Sequence, residues 1–214
     1  MVTLQLRQLD VPPGQRLLLH DVSWAEFEAI LEELGEHRGS RIAYNNGLLE
    51  IMAPLPEHES DKEIIGDLLK ALLEELDIEF LTLGSTTFKN SEMLKGIEPD
   101  QCFYIQLEAA VRGKKRLDLT IDPPPDLALE VDITSRTHPE TYAALGVPEL
   151  WQRVGQTIRI YHLQDGKYVE VSESPTFLGW PLQAEIPIYV EQSRVEGRNN
   201  AMRSFRQWVR SQLG

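Results

Sequence analysis

The chain has 214 residues and a formal net charge of −13, from 21 Lys and Arg against 34 Asp and Glu. That length can bury a full core without disulfides, and the single cysteine, Cys102, excludes an intrachain disulfide and fits a reducing cytoplasm. The acidic balance argues against a broad nucleic-acid-binding surface, which needs clustered Lys and Arg, but leaves room for a local site screened by metal ions.

No apolar run approaches the roughly 20 residues of a membrane span, and no basic stretch followed by an apolar one marks a signal peptide. The expectation is one cytoplasmic domain over residues 1–214, with no membrane association. Its core covers about 22–190 and a terminal helix 201–213.

Residues 1–20 carry a mixed apolar pattern broken by Pro12-Pro13-Gly14, an arm with a turn. Ser23 precedes Trp24, Phe27, Ile30, Leu31 and Leu34 at helical spacing, with Glu26 three residues after it. A capping box and an amphipathic helix closed by Gly35 are therefore predicted. Asn45-Asn46-Gly47 separates two apolar runs, 41–44 and 48–52, and predicts a β-hairpin. Glu50 is its one charged residue among apolar neighbours, in the manner of an edge-strand solubility charge. Pro54 and Pro56 end the hairpin and open a long helix over about 57–76, with Ile65, Leu68, Leu69, Leu72, Leu73 and Leu76 on its buried face. At the same period His58 and Asp61 fall on the inward stripe and Glu59 on its flank, although an acidic first turn is also what the helix dipole favours.

Residues 77–83 read as a strand continuing through Thr86-Thr87-Phe88 and broken by 89–92, and residues 101–106 as a further strand. The one basic cluster, residues 112–116, reads as an exposed turn. The proline-rich stretch 122–126 leads into an apolar run, 127–133, suited to a central strand. Leu127, Leu129, Val131 and Ile133 share one face of that strand; Ala128, Glu130 and Asp132 share the other. Thr134, Ser135 and Thr137 offer capping oxygens, Pro139 suits a first helical turn and Gly146 its end, and Leu150-Trp151 starts the next strand of a β–α–β unit. A second hairpin turns at Asp165-Gly166, residues 175–190 read as irregular or edge-strand material, and Met202, Phe205, Trp208, Val209 and Leu213 mark a terminal helix with arginines between them.

The chemistry concentrates in two stretches, Glu98-Pro99-Asp100 and residues 126–132. Carboxylates set into strand-like runs are costly to bury unless a cation or a proton neutralises them. Read as neighbouring strands, the two stretches bring Asp100, Glu130 and Asp132 to one place. There is no Gly-x-Ser-x-Gly, no Cys-x-x-Cys, no Walker loop and no histidine pair at zinc spacing. What remains is oxygen chemistry: carboxylates on adjacent strands are hard ligands suited to Mg²⁺ or Mn²⁺.

The spacing Pro99-Asp100, about thirty residues, then Glu130-x-Asp132 resembles the PD-(D/E)XK nuclease superfamily. Further stretches resemble its Uma2-like branch, the former DUF820 family abundant in cyanobacteria. They are residues 41–52, Pro56-Glu57-His58-Glu59, Leu83-Gly84-Ser85-Thr86-Thr87, residues 98–105, residues 123–135 and residues 142–151, in order across about 22–190. The resemblance implies an α+β or α/β fold, a restriction-endonuclease-like mixed central sheet flanked by helices, with an N-terminal helix and a β-hairpin. It implies a Mg²⁺- or Mn²⁺-dependent endonuclease with DNA as substrate, Asp100 and Glu130 as metal ligands, and His58 or Glu59 completing the shell; Glu50 is a weaker addition. Homodimerisation is compatible with this fold.

The chain departs from the pattern at position 132. The motif places a lysine there to orient the attacking water and offset developing charge; here it is Asp132. In many Uma2-like chains a lysine lies in the following helix, at the position of His138. Asp132 is thus an extra candidate ligand, with Lys89 or Lys95 as candidate sources of charge. Two alternatives stand beside the enzyme: a catalytically inactive fold relative acting as a nucleic-acid- or protein-binding regulator, and a structural homo-oligomer whose acidic strands only pair with Arg or Lys.

Overall fold

A computed structural model describes residues 6–35, 39–84, 86–132 and 139–214. The fold is mixed α and β, in two sheets. After a 3-10 turn at Leu6–Gln8 come β1 (Arg16–Leu19), α1 (Trp24–Leu34), β2 (Arg41–Asn45), β3 (Leu48–Met52) and α2 (Pro56–Glu75). Then follow β4 (Leu81–Leu83), β5 (Phe88–Asn90), β6 (Lys95–Ile97), β7 (Gln101–Tyr104) and a short α3 (Glu108–Val111). The chain continues with β8 (Leu127–Asp132), α4 (Pro139–Ala144), β9 (Glu149–Val154), β10 (Thr157–Gln164), β11 (Lys167–Val171), α5 (Leu182–Glu196) and α6 (Arg198–Leu213). No described helix is long and apolar enough to cross a membrane.

The first sheet has the order β1-β3-β2-β6-β5 and is antiparallel throughout. Its centre is the predicted hairpin, which turns at Asn46 and Gly47, both at positive φ, as a tight two-residue turn requires. The capping box at Ser23 and Glu26 is present in both directions and starts α1. α1 lays Phe27 against Tyr44, their rings stacked 4.6 Å apart. Gly96 on β6 permits this docking, since a Cβ there would lie 2.8 Å from the Phe27 ring.

The second sheet has the order β11-β10-β9-β8-β7-β4. It is mixed: β8 and β9 run parallel through the predicted β–α–β crossover, and its other pairs are antiparallel. One face buries Phe103, Leu127, Leu129, Val131 and Trp151 against α2, α5 and α6. The other buries Cys102, Ala128 and Leu150 against Tyr142 and Leu145. β8 is therefore covered on both sides, which accounts for its nearly unbroken apolar run.

Several expectations are corrected. β1 pairs with β3, so Glu50 is not on an edge strand; it is 7% exposed and its carboxylate lies 3.3 Å from Arg16 Nη1. The stretch 88–97 forms a second hairpin, β5 with β6, around the turn at 91–94 where a break was expected; Leu94 takes a positive φ there. The strand expected over 77–83 begins at Leu81, because Asp77 turns the chain at positive φ after α2. Residues 175–190 were expected to be irregular or edge-strand material; instead the chain from Leu182 to Glu196 forms α5, with Pro187 inside it. Leu182, Ile186, Tyr189 and Val190 recur at helical spacing and bury one side, which outweighs the lost backbone donor at Pro187. The expected caps at Thr134, Ser135 and Thr137 lie outside the described residues.

Two polar contacts fix α2 to the second sheet. Asp61, 2% exposed, accepts from Arg153 Nε of β9 at 3.2 Å and from Arg194 Nη2 of α5 at 2.7 Å. A buried carboxylate is tolerable here because two guanidiniums meet it. Gln101 of β7 presses its amide against Gly66 of α2, and a Cβ at 66 would fall 1.7 Å from Gln101 Oε1. Gly66 therefore sets how closely α2 approaches the strands that carry the acidic residues.

Gly66→Ala is expected to lower stability to denaturant by about 1–3 kcal/mol through overpacking, although alanine is the better helix former by about 1 kcal/mol. Introduced into Gln101→Ala, the same substitution is expected to be neutral or stabilising. A stabilised single variant would contradict the close-approach account.

Candidate active site

Asp100 lies one residue before β7, and the antiparallel register pairs Gln101 with Leu129. The expected neighbouring strands are present, and the Val131 backbone N–H, from the residue after Glu130, donates to Asp100 Oδ2 at 2.8 Å. Asp100 thus lies against the β8 backbone beside Glu130. Asp132 ends β8 opposite Val154, and its side chain lies outside the described residues, as does His138.

Asp100 is 2% exposed, and three elements converge on its carboxylate. His58 Nε2, from the first turn of α2, is 3.1 Å from Oδ2. Arg41 Nε, from β2 in the other sheet, is 3.6 Å from Oδ1. The N-terminal end of α2 reaches this place because α2 runs across the second sheet, as the inward stripe of His58 and Asp61 predicts; both side chains are buried. Glu59 stands on the flank, its side chain 40% exposed, with Arg41 Nη2 donating to its Oε1 at 3.4 Å and Lys62 Nζ bonded to its Oε2. His58 Nδ1 is 3.6 Å from Glu59 Oε1, an ion-pair contact too long for a hydrogen bond, so that buried nitrogen has no hydrogen-bond partner among the described residues.

The titration of these groups follows from their neighbours. Burial pushes the His58 imidazole down, but Asp100 and Glu59 more than reverse this and raise it from 6.5 to about 9. His58, followed by Lys62 and Arg41, lowers Glu59 from 4.5 to about 2 against its partial burial. Both groups are therefore charged at neutral pH. Glu130 is half-buried and accepts a hydrogen bond from the Tyr142 hydroxyl of α4. Burial first, and the carboxylates of Glu130 and Asp100 next, raise the Tyr142 phenol well above its ordinary value, so it remains a donor.

Other residues singled out in the sequence go elsewhere. Glu98 turns toward the first sheet, where it accepts from the Ile42 N–H at 3.2 Å and from Thr87 Oγ1 at 2.5 Å. Lys89 pairs with Glu28 of α1 and Lys95 with Asn45 of β2. The positive groups in contact with Asp100 and Glu59 among the described residues are those of Arg41, His58 and Lys62. The basic cluster 112–116 is exposed, with Arg112 on Glu108 and Lys114 on Asp122. Arg41, Lys62 and Tyr142 were not singled out from the sequence. Arg41 and Tyr142 stand within stretches quoted for the family resemblance, and only the β2–α2 and β8–α4 packing reveals where they go.

Among the described residues no group of three or more His, Cys, Asp or Glu is arranged to hold a metal ion. Two neighbouring carboxylates still suit Mg²⁺ or Mn²⁺ in number and in kind, because such ions take one or two carboxylates and complete their shells with water and phosphate oxygens. Asp100 and Glu130 would be the holders, with Tyr142 and the Val131 N–H fixing their orientation.

Comparison with known proteins gives the family. Residues 24–191 match the Uma2 family, described as "Putative restriction endonuclease". The comparison with curated proteins gave no match. Among solved structures, one similar chain is described as "a putative nuclease belonging to DUF820", from Anabaena variabilis ATCC 29413. It is 12% identical with a TM-score of 0.46, covering 75% of this chain and 90% of that one.

The raised His58 pKa sets a pH dependence for the metal-free protein. Its contribution to stability is fully present below about 6.5 and is lost as pH rises through about 9. In chelator, the midpoint of thermal unfolding should therefore fall more steeply between those values than it does for His58→Asn. Parallel profiles for the two proteins would show that His58 is not held as an imidazolium.

Proposed function

Because the chain belongs to the Uma2 family, we propose that it is a metal-dependent endonuclease that hydrolyses DNA phosphodiester bonds, with Asp100 and Glu130 as the ligands of Mg²⁺ or Mn²⁺. The observation that carries this reading is the pair itself: Asp100 buried and bonded to the Val131 N–H, next to Glu130 on β8, with fixed cations beside it. When bound, such an ion polarises a phosphoryl oxygen and lowers the pKa of a coordinated water.

The chain's own residues do the rest of the work. The Val131 N–H and His58 hold the Asp100 carboxylate in one orientation, and Tyr142 does the same for Glu130. Arg41, His58 and Lys62 place positive charge around Asp100 and Glu59, a local exception in a chain of net charge −13. This supports local rather than surface-wide handling of phosphate. His58 and Glu59 shape the charge beside Asp100, and Asp132, two residues beyond Glu130, is a candidate third ligand in this reading.

A second reading draws on the Arg41–Asp100 pair: the acidic strands would merely neutralise arginine within the fold. Against it, Glu130 is half-buried and Glu59 is 40% exposed, so the cluster reaches the surface, whereas a purely structural pair gains nothing from doing so.

Purified protein with Mg²⁺ or Mn²⁺ is expected to cleave DNA, and to fall to background in chelator and in the folded variants Asp100→Ala and Glu130→Ala. Plasmid, linear duplex and single-stranded DNA should all be offered. If the wild-type protein leaves all three intact with either ion, the nuclease reading is wrong for those substrates.

A further inference from the structure

We propose that Arg41 is a further catalytic residue, whose guanidinium supplies at the scissile phosphate the positive charge that position 132 lacks. The inference rests on the nuclease reading. Four observations lead to it. Position 132 is an aspartate, so β8 itself carries no cation two residues after Glu130. Lys89 and Lys95 are engaged on the first sheet, by Glu28 and Asn45. Lys62 is bonded to Glu59 and lies 3.6 Å from Glu63, and among the described residues its ion pairs are with these two acids, not with Asp100. Arg41 reaches Asp100 from the opposite sheet, at 3.6 Å, and spans to Glu59 at 3.4 Å.

The chemistry of the side chain suits the task. Its guanidinium keeps its charge at any working pH and presents a planar fork of N–H donors that matches phosphate oxygens. At 11% exposure it is largely shielded from water, where a fixed charge acts more strongly on charge developing in the transition state. In the hydrolysis the water oxygen bonds to phosphorus as the bond from phosphorus to one sugar oxygen breaks. One proton of the water ends on the leaving oxygen, and the other stays with the new phosphate monoester or passes to solvent. Arg41 neither gives nor takes a proton; it offsets the charge that builds on the phosphoryl oxygens.

The test compares wild type, Arg41→Ala, Arg41→Lys and Arg41→Gln in Mn²⁺-supported cleavage, with Arg210→Ala as a control. Arg210 pairs with Glu75 at the end of α2 opposite to His58. Arg41→Ala should lose on the order of 100-fold in kcat with little change in KM. Lysine should restore part of that, and guanidinium ion added to Arg41→Ala should restore part as well. Mn²⁺ affinity, measured by calorimetry, should be unchanged or tighter in Arg41→Ala, because a competitor for Asp100 has gone. Should the alanine variant not fold, Arg41→Gln carries the same comparison. A folded variant with kcat within about twofold of wild type would overturn the proposal, as would a kcat loss matched by an equal loss of Mn²⁺ affinity. A wild-type protein that cleaves nothing would instead sink the nuclease reading, and this inference with it.

Discussion

A carboxylate that is 2% exposed is the constraint around which this molecule is arranged. Burying a carboxylate between two sheets and a helix requires compensation for the water it loses, which would otherwise cost several kcal/mol. The fold supplies it from three directions: the Val131 amide of the adjacent strand, His58 from the start of α2, and Arg41 from the first sheet. Each contact also ties a separate element to β7. The same residue that organises the charge therefore organises the junction of the two sheets and α2.

The geometry of that junction depends on how α2 is seated. Ile65, Leu68, Leu69 and Leu72 bury its inner stripe, Asp61 locks it to Arg153 and Arg194, and Gly66 lets Gln101 come close. Arginines of α6 answer the acids at the far end of α2, where Arg198 meets Asp67 and Arg206 and Arg210 meet Glu74 and Glu75. Much of the basic complement of this acidic chain is thus spent inside the fold. Among the described residues, the cations in contact with Asp100 and Glu59 are Arg41, His58 and Lys62, which in the proposed reading suits local handling of phosphate rather than a surface that holds a long duplex.

Much of this was legible in the sequence because local signals and burial agreed. Ser23 with Glu26, Asn46-Gly47, the apolar stripe of α2 and the run 127–132 each have one physical solution, and the structure adopts it. The pairing of β7 with β8 was legible for the same reason: two short apolar runs suit neighbouring strands. What escaped was long-range. Nothing local reveals that β1 would cover β3 and bury Glu50; around Pro187 a helical spacing is present in Leu182, Ile186, Tyr189 and Val190, but the proline masks it until burial of that face decides. Nor does spacing reveal that Arg41, 59 residues before Asp100 in the chain, would face it across a sheet boundary. Lys89 and Lys95 looked nearer in sequence, but the β5–β6 hairpin carries them to the first sheet.

The central claim is that Asp100 and Glu130 together hold a divalent ion. An anomalous difference map from a Mn²⁺-soaked crystal measures this directly. A peak between those two carboxylates is the predicted result, and it would also show whether Asp132 joins them. No peak there, with Asp100 still closed by Arg41 and His58, or a peak only at other acidic residues, would contradict the account.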